Sequence, residues 1–370
     1  MIFIPTNGTT FLLLDGQPAV FSAVAQKLYA LNTEAALIWC GFEEGEPVSS
    51  VVDRLVASGV SPTDAATYVN QAARKWVRLG LLQVHIASFD GLATECAFTV
   101  SLGRSTWTFE FNGESVAQSV LQLFEHHEPP LESGNRLKII EAKGLVYVFD
   151  NDRCVLTCAM DDVVPSIKAY LTEQLVSQCA PDIAFHAACL EHNAKALLIS
   201  GDPGAGKTTL ALYLVQHGRL ACCADDIVLI RSDGTVTGVP FAPTIKSGAW
   251  RILEEFIPDL EDVPVHRRPD GKRVKYLNAL AMVRNGSVYP VGGIVFLRRR
   301  SRGDAKLVPL RRLDVLKRVI TGSYSPNRRM SHASLISFKN MLTQADLFEL
   351  SYSNVAEAGA AILGMYDGKS

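Results

Sequence analysis

The feature that most narrows the fold is a short glycine-rich segment in its local setting. Ala196-Leu197-Leu198-Ile199-Ser200 is an apolar run of strand length, Gly201-Asp202-Pro203-Gly204-Ala205-Gly206-Lys207-Thr208 follows at once, and Thr209 to His217 reads as a helix stopped by Gly218. The glycine-rich segment fills GxxxxGK[ST] at every fixed position, and strand, turn and helix are the setting in which that pattern cradles phosphate. Glycines let backbone N–H groups curl toward an anion, and the helix N-terminus adds partial positive charge. Lys207 can then reach the β- and γ-phosphates, and the Thr208 hydroxyl can ligate Mg²⁺. The expected ligand is a nucleoside triphosphate with Mg²⁺, held by Gly201, Asp202, Pro203, Gly204, Ala205, Gly206, Lys207, Thr208 and Thr209. A glycine turn that binds nothing is the alternative; the agreement of motif and context argues against it.

Two further features flank this segment. Downstream, Ala224-Asp225-Asp226 precedes the apolar run Ile227-Val228-Leu229-Ile230, so two carboxylates sit at the mouth of a strand. One could hold Mg²⁺ while the other takes a proton from an attacking hydroxyl. A plain Asp-Asp turn is the bland reading, and the short spacing to Lys207 favours a site. Upstream, His186 lies in Ala184-Phe185-His186-Ala187-Ala188, on an expected strand pairing beside the cradle. A lone histidine in an apolar run is more often a satisfied core residue.

The cradle accounts for only part of the chain. With 370 residues, 48% hydrophobic and 20% charged, there is material for about two or three domains. Over 28–82 apolar residues return every three or four positions, giving a short helix over 33–39 capped by Asn32 or Thr33 and two longer helices separated at Ser61-Pro62. Gly80 closes the last helix, and Leu81-Leu82-Gln83-Val84 begins a strand, a winged-helix-like pattern. Over 97–156 the period becomes two, as in Trp107-Thr108-Phe109-Glu110-Phe111 and Leu145-Val146-Tyr147-Val148-Phe149, with turns at Asn112-Gly113 and Asp150-Asn151-Asp152 and one helix over 116–126. From Val163 helix and strand alternate, and Gly292-Gly293-Ile294-Val295-Phe296-Leu297 reads as a buried strand of the cradle's sheet.

Composition excludes several classes. No apolar run approaches the roughly 18 residues of a bilayer span, and the N-terminus lacks a basic region followed by an apolar core, so the mature chain is expected to start near Met1. The eight cysteines form no CxxC pair or zinc-spaced cluster, which suits cytoplasmic thiols; a metal role for Cys154 and Cys158 has only their spacing behind it. A net charge of -2 argues against a bulk nucleic-acid binder. The exception is a basic stretch over 266–329, including Arg267-Arg268, Lys272-Arg273, Lys275, Arg298-Arg299-Arg300 and Arg328-Arg329. Most of it reads as a solvated face, but phosphoryl transfer needs cations on developing charge, and Lys246, Arg273 and Lys275 are the candidates.

The run over 186–226 resembles the catalytic domain of HPr kinase/phosphorylase, a bacterial family that phosphorylates serine on a protein with a Walker-A fold related to phosphoenolpyruvate carboxykinase. The matching residues are His186-Ala187, Leu197-Leu198-Ile199, Gly201 to Thr208, Gly218 and Ala224-Asp225-Asp226. The resemblance implies that Asp225 is the catalytic base, that Asp226 assists with Mg²⁺ or geometry, and that His186 and Lys207 belong to the active site. Thr209 stands where the family has Glu, the interval from Gly218 to Asp225 is one residue longer, and the family's Glu-Ile-Arg-Gly-Leu-Gly signature is replaced by Pro243-Thr244-Ile245-Lys246-Ser247-Gly248-Ala249-Trp250-Arg251. These departures look like the HPr-kinase-related enzymes that accompany ribosomally made peptides, including kinases of lasso-peptide precursors. Leu31-Asn32-Thr33-Glu34-Ala35-Ala36-Leu37-Ile38-Trp39, the two helices after it and Leu79-Gly80-Leu81-Leu82 resemble PqqD, a winged-helix module that binds leader peptides by strand addition. A structural or dimerisation appendage is the alternative there.

The resulting expectation is a multidomain α/β chain: a PqqD-like winged-helix domain over 1–90, a strand-rich region over 91–160 and a P-loop α/β domain of the HPr kinase/phosphoenolpyruvate carboxykinase type over 161–370. It would be a cytoplasmic, ATP- and Mg²⁺-dependent kinase of a serine in a small precursor peptide, with Thr208 and Asp226 on the metal and the leader peptide at the N-terminal domain. HPr-kinase relatives form hexamers, so a homo-oligomer is compatible with the resemblance. A kinase of a small metabolite, such as free serine or a sugar, and a non-catalytic nucleotide sensor stand as alternatives, as do GTP or pyrophosphate as donor.

Overall fold

The computed structural model describes residues 2–85, 93–142, 144–151, 153–218, 220–268, 270–278, 286–324 and 330–367. Of the residues singled out above, Asp152, Arg328 and Arg329 lie outside this set. The chain divides into two compact units interleaved along the sequence: Met1–Ala97, Phe109–Val116 and Arg136–Met160 form one, and Phe98–Thr108, Ala117–Asn135 and Asp161–Ser370 the other. The strand-rich stretch expected over 91–160 is thus shared between two units instead of standing as a region of its own.

The first unit begins with β1 (Ile2–Pro5), β2 (Thr9–Leu14), β3 (Gln17–Ser22) and β4 (Lys27–Ala30). The last three form an antiparallel meander that the periodicity reading did not anticipate, because Phe11-Leu12-Leu13-Leu14 is an unbroken apolar run without alternation. Its legible signal was Asp15-Gly16, where both residues have positive φ, as a two-residue hairpin turn requires. Next come α1 (Thr33–Glu43), α2 (Val48–Ala57) and α3 (Pro62–Arg78). Asn32 caps α1 by accepting the Ala35 N–H at 2.9 Å, and Ser61 caps α3, with Pro62 pre-set in its first turn. Gly80, at φ 69°, ends α3 as expected and turns the chain into β5 (Leu82–His85), which pairs antiparallel with β1. The helices close on a core in which Trp39 and Trp76 meet edge to face at 5.2 Å, with Phe42, Val51, Leu55 and Val69 around them.

The chain continues through β6 (Cys96–Leu102), β7 (Ser105–Phe111), α4 (Glu114–Leu121), β8 (Asn135–Ala142), β9 (Leu145–Asp150) and β10 (Arg153–Cys158). The antiparallel set β8, β9 and β10 returns to the first unit, where Ile140, Leu145, Tyr147 and Phe149 fill the core that holds Trp39 and Trp76. The helix expected over 116–126 is shorter, because the chain leaves helical geometry to bridge Phe124 with Phe241 and to offer the Leu123 carbonyl to the Ala242 N–H.

The second unit contains α5 (Val163–Gln178), β11 (Ile183–His186), β12 (Ala188–His192), β13 (Lys195–Gly201), α6 (Lys207–Gly218), β14 (Ala221–Ala224), β15 (Ile227–Ile230), β16 (Val236–Gly238), β17 (Thr244–Lys246) and α7 (Trp250–Leu253). It ends with β18 (His266–Arg267), β19 (Arg273–Tyr276), β20 (Val291–Arg299), β21 (Lys306–Pro309), α8 (Arg312–Thr321), β22 (Ser323–Tyr324), α9 (His332–Gln344), β23 (Asp346–Tyr352) and α10 (Val355–Asp367). A six-stranded sheet in the order β14-β12-β13-β20-β23-β21 carries the cradle, with β13, β20 and β23 parallel. These strands are apolar on both faces. Leu198, Ile294 and Phe296 pack with Val315 and Phe338, while Leu197, Ile199, Val295 and Leu297 pack with Leu210, Leu214 and Ile362. The strand expected over 292–297 is part of β20, placed beside β13 with Leu297 opposite Gly201. Two smaller sheets, β16-β15-β11-β22 and β17-β19-β18, complete the unit. No helix among the described residues is long and apolar enough to cross a membrane.

Candidate active site

The glycine-rich turn joins the carboxyl end of β13 to α6, at the mouth of the parallel strands where α/β sheets bind their ligands. Gly204 and Gly206 hold φ of 85° and 92°, a region closed to most side chains, and a Cβ on Gly206 would run into the Tyr352 hydroxyl. That hydroxyl donates to the Ala205 carbonyl at 2.6 Å, so the end of β23 clamps the turn. Asp202, Pro203 and Gly204 are exposed at the tip, Ala205 is buried beneath it, and Thr208 and Thr209 are half-buried in the first turn of α6. Lys207 is 8% exposed and donates to the Gly201 and Asp202 carbonyls at 2.8 and 3.4 Å. Burial pushes its pKa down; Asp226, Asp225 and Asp202 pull the other way.

Asp225 and Asp226 lie between β14 and β15. Asp225 is 3% exposed; its Oδ2 accepts the Thr244 N–H at 3.0 Å, while its Oδ1 is buried without a well-formed hydrogen bond. Burial, helped by the neighbouring Asp226 charge, raises the Asp225 pKa to about 6, against the opposing pull of Lys168, the Thr244 N–H and the Thr208 hydroxyl. Asp226 goes the other way. Burial alone would raise it, but the Lys168 ammonium, 3.1 Å from Oδ2, together with His186 and Lys246 holds it below the ordinary carboxylate range.

His186 stands at the end of β11, in the neighbouring four-stranded sheet, and the strand beside the cradle is β12. The chain changes sheets at Ala187, yet the expected proximity survives. Ser200 Oγ donates to the His186 carbonyl at 3.1 Å, and His186 Nδ1 lies 3.0 Å from the Asp226 carbonyl. A carbonyl only accepts, so Nδ1 carries the proton. Burial and the Lys207 charge lower the pKa, so the ring is neutral near pH 7 and Nε2 presents a lone pair.

Strand alternation separates the three candidate cations. Thr244, Lys246 and their partners Tyr276 and Val274 share one face of the β17–β19 pair, and the Lys246 charge is felt at Asp226, Lys207 and His186. Arg273 and Lys275 alternate onto the opposite face, on the Trp250 ring at 5.5 and 5.1 Å. Lys275 is buried and donates to the Leu260 and Glu261 carbonyls at 2.6 and 3.0 Å, and neither cation contacts the carboxylates.

Hard oxygen donors suit Mg²⁺. Thr208 Oγ, the buried Asp225 Oδ1 and the Asp226 oxygen not engaged by Lys168 supply them. Among the described residues no three His, Cys, Asp or Glu side chains converge as a metal group, so these donors suit an ion completed by phosphate oxygens or water.

Part of this chain is similar to HPr kinase/phosphorylase. The enzyme of Listeria welshimeri is 35% identical over 79 residues, which is 21% of this chain and 25% of the relative. The Listeria monocytogenes enzyme gives the same figures, and that of Exiguobacterium sibiricum is 30% identical over 130 residues, 32% of this chain and 42% of the relative. The chain therefore spans between a quarter and two-fifths of the length of these HPr kinase/phosphorylase relatives. No family profile matches it.

Three residues of the site were not legible from motifs. Lys168 comes from α5, Thr244 from β17 and Tyr352 from β23, each far from the cradle in sequence. Lys168 carried a signal in hindsight. It is a lone cation on a helix otherwise buried through Val163, Val164, Ile167 and Leu171, and a buried lysine needs a partner.

Proposed function

We propose that the chain is an ATP- and Mg²⁺-dependent kinase that phosphorylates a serine hydroxyl of a small precursor peptide, with the leader segment held by a PqqD-like winged-helix domain over 1–90. The observation that carries the kinase reading is the convergence of Lys207, at the mouth of a glycine-curled turn, with a buried carboxylate whose pKa is raised to about 6. A phosphate-binding lysine and a base tuned toward neutrality are what phosphoryl transfer to a hydroxyl needs. The partial similarity to HPr kinase/phosphorylase points to the same chemistry.

In this reading the turn's N–H groups and the Lys207 ammonium hold the phosphate chain in line with the acceptor. Asp225 takes the proton of the acceptor hydroxyl as its oxygen bonds to the γ-phosphorus and the bond to the β-phosphate oxygen breaks, giving a phosphoserine and a nucleoside diphosphate. Lys246 offsets charge on the transferring group. His186 Nε2, a lone pair and not a donor, suits the acceptor hydroxyl better than a phosphate oxygen. Thr208 and Asp226 would hold Mg²⁺, which neutralises phosphate charge when bound. An extended leader would add to a sheet edge of the first unit through backbone hydrogen bonds.

The test is mass spectrometry of phosphoryl acceptors, with full-length protein, Mg²⁺, ATP and peptide and metabolite fractions, and Lys207→Ala as control. A phosphoserine peptide that disappears with Lys207→Ala supports the proposal. Label confined to a small metabolite would overturn the peptide assignment, and ATP binding without any transfer would leave a nucleotide sensor.

A further inference from the structure

We propose that Arg299 is a nucleotide-binding residue that closes the cradle on the side away from the carboxylates and pairs its guanidinium with the α-phosphate of the donor. For which end of the nucleotide lies where, this rests on the kinase reading above. Arg298 and Arg299 end β20, and strand alternation sorts them. Val295 and Leu297 pack on the α6 face with Leu210, Leu214 and Tyr352, while Ile294 and Phe296 pack on the opposite face. Arg299 therefore follows Leu297 onto the α6 face, and Arg298 follows Phe296 onto the other. There Glu349 meets Arg298 at 3.9 Å and Arg318 at 2.8 Å. Arg299 is exposed and, among the described residues, its guanidinium has no carboxylate partner.

Register brings that cation to the turn. Leu297 lies opposite Gly201, the last residue of β13, so Arg299 stands two residues past the point where the cradle begins. Its neighbour on β23 is Tyr352, whose hydroxyl clamps the Ala205 carbonyl, and the Arg299 charge is felt at that phenol. The order of strands then fixes which end of the ligand it meets. Asp225 and Asp226 follow the end of β14, on one side of β13 beyond β12, and β20 lies on the other side. With the γ-phosphate at the carboxylates, as transfer requires, the phosphate chain leads away from them and its α-phosphate comes out toward β20. A planar guanidinium matches phosphate oxygens with paired N–H donors. The α-phosphate keeps its charge while the γ-phosphoryl group moves, so this contact holds ground state and transition state alike.

ADP with Mg²⁺ is the probe, titrated by calorimetry against the full chain and its variants. Arg299→Met is expected to weaken ADP binding at least about fivefold and Arg299→Lys to recover part of the loss, while Arg298→Met, on the opposite face, stays within about twofold of the parent. If Arg299→Met does not fold, Arg299→Gln carries the same expectation. In acceptor turnover the loss should fall on KM for ATP more than on kcat. ADP binding by a folded neutral Arg299 variant within about twofold of the parent, or an equal loss in Arg298→Met, overturns the proposal. A fall in kcat larger than the rise in KM also overturns it, because the guanidinium would then serve the γ-phosphate. A parent that binds no ADP sinks the nucleotide cradle and the proposal together. The calorimetric shifts need no turnover, so their appearance in a chain that transfers no phosphoryl group would sink the kinase reading and leave Arg299 on the nucleotide.

Discussion

At the scale of single residues, Asp225 is where function and stability oppose each other. Its ionised form is disfavoured by burial, so the folded state prefers it protonated, with a pKa of about 6 against an ordinary 3.8. Well below pH 3.8 both folded and unfolded chains are protonated there and nothing is lost; the penalty grows between about 3.8 and 6 and is fully present above about 6. Asp225→Asn is therefore expected to stabilise the second unit by about 1–3 kcal/mol at pH 7 and by nearly nothing at about pH 3, read from denaturant melts at the two pH values. The same substitution should abolish phosphoryl transfer while nucleotide binding persists. In the parent, kcat/KM should rise with pH through about 6 and then level, because the base acts only when ionised. Gly206→Ala tests the cradle. Its φ of 92° and the nearby Tyr352 hydroxyl leave no room for a methyl, so nucleotide affinity should fall at least about tenfold by calorimetry.

At the scale of elements, one rule accounts for which cations serve the site. The β17–β19 pair places side chains alternately on two faces, so Lys246 faces the carboxylates while Lys275, opposite Ile245, is drawn under Trp250. Lys275→Met should consequently show as lost stability, with the backbone carbonyls of Leu260 and Glu261 left unpaired, whereas Lys246→Met should lower kcat with little change in the melt. Apolar runs such as Ala196-Leu197-Leu198-Ile199 could be read directly as strands because a parallel strand is buried on both faces. Sequence neighbours could not say that His186 and Ala188 belong to different sheets, because one residue of extended chain looks the same whichever ladder it joins.

At the scale of the whole molecule, the two units cannot be cut apart at one point. Ile140, Leu145, Tyr147 and Phe149 return, more than fifty residues after β5 ends, to the core built by α1, α2 and α3. Removing 1–90 would expose these side chains and three strands of apolar surface. Such a truncation is expected to aggregate, seen as loss of the monodisperse peak in size-exclusion chromatography. Trp76→Ala in the full chain should instead cost about 3–5 kcal/mol in the first unit, in a melt monitored by tryptophan fluorescence. A leader-binding role is better tested by point substitutions than by deletion.

The sequence by itself determined the cradle, the helix behind it, the carboxylate pair and the helical character of the N-terminal region. Each is written in a contiguous stretch whose spacing has one local solution. Tertiary structure decided what surrounds them: the Lys168 ammonium from α5, Thr244 from β17, the Tyr352 hydroxyl from β23, and the return of β8, β9 and β10 to the first unit's core. Those contacts join residues 19 to 147 positions apart. They depend on which strands pair and which face each side chain takes; burial raises the pKa of Asp225, while at its buried neighbour Asp226 the Lys168 ammonium outweighs burial and the shift is downward.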